Sequence, residues 1–131
     1  MPPDVAQIYR EARGVAMISP RAAAALLRLA VELLIDSRVK GADSLNAKIG
    51  RLRQSGVPQD VIDALDIVRV TGNNAVHPGQ IDVVDETADA LFRLLNMLVD
   101  QLVTRPREIS ELRAALPQGA REAIARRDSS G

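Results

Sequence analysis

The sequence predicts an all-α protein, and three observations carry that expectation. The apolar fraction is 47%, yet the chain holds one Phe, one Tyr and no Trp, so its core must be built from Ala, Leu, Val and Ile, which suits helices packed on helices. Apolar positions recur every three to four residues along successive segments, the period of one helix face. Serine and proline stand where those segments begin, and glycine where several of them end, the usual punctuation of helix termini. A length of 131 residues accommodates one core of useful size and leaves no room for a second.

The first amphipathic segment runs from Asp4 to Met17, with Val5, Ile8, Ala12, Val15 and Ala16 on one face. Ser19-Pro20 then offers an N-cap followed by proline at the first helical position, opening a long helix from about Pro20 to Val39. Its interior, Ala22 to Ile35, is apolar nearly all round, as expected of a central helix, and Lys40-Gly41 supplies its stop. Ser44 caps a shorter helix through Gln54, carrying Leu45, Ile49 and Leu52, which Ser55-Gly56 closes. A fourth helix follows from Pro58 to about Thr71 with Val61, Leu65, Val68 and also Ile62 and Ile67 directed inward, and Gly72 marks its end or a distortion. Pro78-Gly79 reads as a turn, after which Asp82 or Asp85 caps a last long helix to about Leu102, carrying Ala88, Leu91, Leu94, Leu95, Leu98 and Leu102. Beyond Arg105-Pro106 the pattern weakens. The chain therefore divides into a helical bundle at 1–105 and a C-terminal helical extension or partly ordered tail at 106–131.

Composition narrows the function classes. Seventeen basic and seventeen acidic residues cancel, so no global field recruits nucleic acid or an anionic membrane. The scarcity of aromatics argues against a stacking platform for single strands. Arg107, Arg113, Arg121, Arg126 and Arg127 of the tail are interleaved with Glu108, Glu111, Glu122 and Asp128, the pattern of a solvated face rather than a phosphate-binding one. The absence of cysteine excludes disulfides and thiolate chemistry, and a single histidine leaves no zinc-type ligand set. No metal and no cofactor is expected. The opening Met1-Pro2-Pro3-Asp4 lacks the basic and apolar regions of a signal peptide, and Ala22 to Ile35 is interrupted by Arg28 and Glu32, short of the roughly 20 apolar residues of a bilayer span. The expected location is cytoplasmic, without membrane attachment.

Chemistry-bearing side chains concentrate in one place. His77, the sole histidine, closes the run Arg69-Val70-Thr71-Gly72-Asn73-Asn74-Ala75-Val76-His77, where a helix end would expose backbone groups beside an imidazole and two carboxamides. The central helix adds Arg28 and Glu32, four residues apart and so on one face. If these charges are buried they need partners, and Arg69, Asn73 and His77 are the candidates. Glu32 would raise the pKa of His77, whereas Arg28 or Arg69 would lower it. The expected binding or structural network comprises Arg28, Glu32, Asn73, Asn74 and His77.

The phrases Ser19 to Leu34, then Ser44-Leu45 with Lys48-Ile49, then Arg69 with Gly72-Asn73-Asn74-Ala75-Val76-His77, occur in that order. Together they resemble a family of uncharacterised HEPN-like domains, related to the HEPN superfamily (higher eukaryotes and prokaryotes nucleotide-binding), over roughly Tyr9 to Val103. The resemblance implies an antiparallel bundle of four to five helices that is often a homodimer. It also implies, for active superfamily members, an arginine and a histidine separated by four to six residues that converge across the dimer and cleave RNA without metal. Such an endoribonuclease would use His77 as general acid or base, Arg69 or Arg28 as phosphate stabiliser and Asn73 as an orienting group. Seven residues separate Arg69 from His77, however, and the superfamily's arginine positions are held here by Val70, Thr71 and Gly72. The leading expectation is thus a homodimeric interaction module whose site near His77 is structural or ligand-binding. An RNA or nucleotide ligand and a protein partner from bacterial nucleic-acid or defence systems are the further expectations.

Overall fold

The computed structural model describes residues 1–36, 38–41, 44–77 and 82–130. It is all-α, with no strand among the described residues. The helices are α1 (Pro3–Val15), α2 (Pro20–Asp36), α3 (Leu45–Gln54), α4 (Gln59–Ala75), α5 (Asp85–Val99), α6 (Arg105–Ala114) and α7 (Gln118–Ser130), with a π-helical turn, Asp100–Thr104, joining α5 to α6. The expected Pro78-Gly79 turn lies outside the described residues.

The core is aliphatic apart from Phe92. Helix α2 is its axis: α1, α4 and α5 all pack on it, and α3 reaches the core through α4. Ala23, Ala24, Leu27, Ala30, Val31 and Ile35 of α2 are completely buried. The alanines among them let neighbouring backbones come close, and the leucine, valine and isoleucine fill the space between. Two caps are formed by serines: Ser19 Oγ accepts from the Ala22 amide at 3.1 Å and Ser44 Oγ from the Ala47 amide at 3.1 Å. Gly56, at φ 96°, takes the left-handed conformation that ends α3.

Several boundaries differ from the sequence reading, each for a local reason. Helix α2 stops at Asp36, before the expected Val39; the Arg38 and Val39 amides both turn back to the Ile35 carbonyl, and the positive φ of Gly41 belongs to the connection that follows. Helix α5 opens with Val84 in the capping position and no side-chain cap, so neither Asp82 nor Asp85 caps it; Asp85 and Glu86 instead occupy the first turn, where the helix dipole favours them. Ile67 is 50% exposed rather than directed inward, because Leu65 and Val68 take the buried face of α4.

Pro106 does not interrupt the last long helix. Proline lacks the amide that would bond the carbonyl four residues back, and its ring crowds that carbonyl. Here the turn before it widens, with the Arg105 amide bonded to the Asp100 carbonyl five residues back. The Leu102 carbonyl that Pro106 cannot use accepts instead from Arg38 Nη1. The chain thus runs continuously from α5 into α6.

Candidate functional site

Helices α2 and α4 cross at Gly72. A Cβ at that position would lie 2.5 Å from Arg28 Cβ and 3.0 Å from the Ala24 carbonyl oxygen, so the two backbones approach as only glycine permits. Gly72 is therefore neither an end nor a distortion of α4, which continues to Ala75. The close approach sets the Arg28 stem against the last turns of α4, the segment that carries Asn73 and Asn74.

Arg28 and Glu32 meet on the same face of α2, with Nη1 to Oε2 at 3.3 Å. Their side chains are 30% and 34% exposed, so this is a partly solvated pair of adjacent helical turns. Pairs of that kind contribute only a few tenths of a kcal/mol, about 0.3–0.5. The Nε atom of Arg28 is different: it is buried and has no hydrogen-bond partner among the described residues.

Arg69 is held by its own helix. Its Nε and Nη2 both reach Asp66 Oδ1, at 3.3 and 3.2 Å. Asp66 was not among the residues read from the sequence as functional, although its spacing of three from Arg69 is a recognised helical pairing distance. His77 lies just past the helix end: Val76 is the C-cap, and the His77 amide donates to the Asn74 carbonyl at 3.1 Å. Its imidazole is exposed and makes no hydrogen bond among the described residues, and the same holds for the half-buried carboxamides of Asn73 and Asn74. The structure thus brings Arg28 and Glu32 together and seats the backbone of α4 on Arg28, but no hydrogen bond among the described residues joins His77 to Glu32, Arg28 or Arg69.

Electrostatically, both arginines of this region already face a carboxylate, Glu32 for Arg28 and Asp66 for Arg69. Stabilising an added phosphate would require one of those pairs to open or to be shared. The Arg28 Nε, the two carboxamides and the exposed imidazole are polar side-chain groups here that make no hydrogen bond among the described residues. Among the described residues no group of three or more His, Asp or Glu side chains could hold a metal ion, and no helix is long and apolar enough to cross a membrane.

A second polar cluster, which the sequence did not single out, ties α1 to α5. The Tyr9 and Phe92 rings meet edge to face with centroids 5.4 Å apart. The Arg13 guanidinium lies 4.1 Å from the Phe92 centroid and donates to the Tyr9 hydroxyl at 3.1 Å, and Asn96 donates to the same hydroxyl at 3.2 Å. Partial burial pushes the Tyr9 phenol up, but the hydrogen bond from Asn96 and the hydrogen bond and charge of Arg13 outweigh it and leave the pKa below the ordinary value of 10.0. The signal for this cluster was the presence of only two aromatic rings in the chain; their meeting is a tertiary fact.

An all-α domain in which a central helix carries an arginine-glutamate pair beside a glycine crossing is the class these features define. A family model described as a domain of unknown function (DUF4145) matches residues 10–116, and the chain belongs to that family. The match runs from within α1 to just past α6. No curated protein and no solved structure matches the chain.

Proposed function

We propose that this chain is a HEPN-like helical interaction module that works in the cytoplasm as a homodimer, with the α2–α4 crossing around Arg28, Gly72 and Asn73 serving a structural or ligand-binding role rather than a catalytic one. The order of the Ser19 to Leu34, Ser44 to Ile49 and Arg69 to His77 phrases supports the HEPN-like assignment. The observation that carries the non-catalytic reading is the pairing of Arg28 with Glu32 and of Arg69 with Asp66, which leaves His77 without a charged partner among the described residues. General acid-base cleavage of RNA needs a histidine and a cation poised on the same phosphate. Association with nucleic-acid or defence systems follows from the resemblance alone.

One observation favours ligand binding over a purely structural role. A buried Arg28 Nε with no acceptor leaves a donor unsatisfied, at a typical cost of about 1–3 kcal/mol, and a bound anion or nucleotide would supply that acceptor. The deciding experiment incubates labelled single-stranded and transfer RNA with the purified chain and with His77→Ala, both in chelator. The expected result is intact RNA in both, together with a thermal shift for any nucleotide bound. A ligand at 100 times its dissociation constant adds about 2.7 kcal/mol. Cleavage by the native chain that disappears in a folded His77→Ala would replace this reading with a metal-independent endoribonuclease.

A further inference from the structure

The C-terminal arm is helical yet buries no residue. Ile109, Leu112 and Leu116 of the arm are 58%, 71% and 39% exposed, and their spacing of three and four sets them in one stripe along α6 and its end. Arg113 borders that stripe on one side and Glu108 on the other. Helices of 10 and 13 residues are marginal in water unless an apolar face is packed on something.

At the opposite end of α5, an open groove of about 400 Å³ lies between the end of α1 and the start of α5. Ala16, Met17 and Ala88 form its apolar lining, and Asp85 and Asp89, one helical turn apart, give it an acidic edge. Arg13 also lines the groove, but its guanidinium is engaged over the Phe92 ring. Met17 and its neighbour Ile18 are 96% and 86% exposed, the most exposed large hydrophobic residues among those described. An apolar lining with an acidic edge complements the apolar stripe along its Arg113 side.

We infer that the groove formed by Ala16, Met17, Asp85, Ala88 and Asp89 receives the α6 stripe of a second copy of the chain, with Leu112 and Ile109 against Met17 and Ala88 and Arg113 beside Asp85 and Asp89. Among the described residues, the arm cannot reach the groove of its own chain. Asp85 and Arg105 are separated by the 15 residues of α5 and the 5 of the π turn, about 30 Å of helix. The 13 residues of α7, even turned straight back from the end of α6, would pass Arg105 by only about 5 Å. A second copy in reciprocal exchange fills both grooves with both arms in one closed, two-fold arrangement. This inference rests on the homodimer reading and specifies the surface that forms it.

Because α6 buries nothing within its own chain, substitutions there test the interface without endangering the fold. The full chain, measured by light scattering, is expected to be a dimer, and Ile109→Glu/Leu112→Glu is expected to be a monomer with an unchanged core unfolding midpoint and reduced helicity confined to the arm. Asp85→Lys/Asp89→Lys is expected to weaken the dimer at least tenfold, and adding Arg113→Glu to restore it in part. The chain has no cysteine, so Met17→Cys/Leu112→Cys is expected to form disulfide-linked dimers on mild oxidation. A dimer that persists in Ile109→Glu/Leu112→Glu would overturn the arm exchange while leaving the homodimer reading intact; a monomeric native chain would overturn both.

Discussion

The crossing of α2 with α4 and the arm formed by α6 and α7 are both helical, but different physics holds them. At the crossing, Ala24, Arg28 and Gly72 bring two backbones together, and Ala24, Leu27, Val31, Leu65, Val68 and Ala75 around them belong to one buried core. Along the arm, the largest apolar side chains face water, and the side-chain pairs that form join near neighbours in sequence, as in Gln118 with Glu122 and Arg127 with Asp128. Helicity at the crossing is therefore a consequence of burial. In the arm it rests on local propensity and short-range pairing, which together supply only tenths of a kcal/mol per contact. The same secondary structure thus carries rigid scaffold in one region and an available surface in the other.

The comparison is tested most severely in the core. Phe92→Ala removes a ring that is 1% exposed and serves as the meeting point of Tyr9 and Arg13; a loss of about 3–5 kcal/mol is expected in denaturant unfolding. A loss below 1 kcal/mol would show that the α1–α5 contact is not integral to the fold. Next in size is a matched pair of glycine substitutions. Gly72→Ala places a methyl 2.5 Å from Arg28 Cβ and 3.0 Å from a backbone oxygen, so overpacking is expected to lower stability by about 1–3 kcal/mol. Gly119→Ala in α7 meets nothing within 4 Å and is expected to gain local helicity, up to about 1 kcal/mol, with no change in the unfolding midpoint of the core. Equal effects at the two sites would erase the distinction between crossing and arm.

The smallest effect is a titration. Ultraviolet absorbance should place the Tyr9 midpoint below 10.0 in the folded chain, and Arg13→Gln should move it up. Since the folded pKa is the lower one, the linked stabilisation is absent at neutral pH, grows as pH rises through the folded midpoint and is complete above the unfolded one. A midpoint that ignores Arg13 would detach the guanidinium from the phenol.

Much of the fold could be read along the chain because its causes are local. The apolar spacing of Val5 to Val15, the serine caps at 19 and 44, and the close of α3 at Gly56 all depend on residues within a turn or two. The candidate site was less legible. Arg28 and Glu32 pair as their spacing of four suggests, but the partner of Arg69 is Asp66, one turn back on its own helix, rather than a group from another helix. Gly72 looked like punctuation, since glycine in a helical pattern has the same appearance whether it ends the helix or admits a neighbour.

By itself, then, the sequence determined that the chain is helical, that its core is aliphatic, and that its chemistry-bearing side chains gather between Arg69 and His77, because composition, periodicity and capping act over a few residues. Only the tertiary structure decided that Gly72 is a crossing point, that Pro106 is carried through by a widened turn and a bond from Arg38, and that Met17 and Asp85 share a groove. Those outcomes depend on which backbone lies opposite, and residues far apart in sequence set that distance.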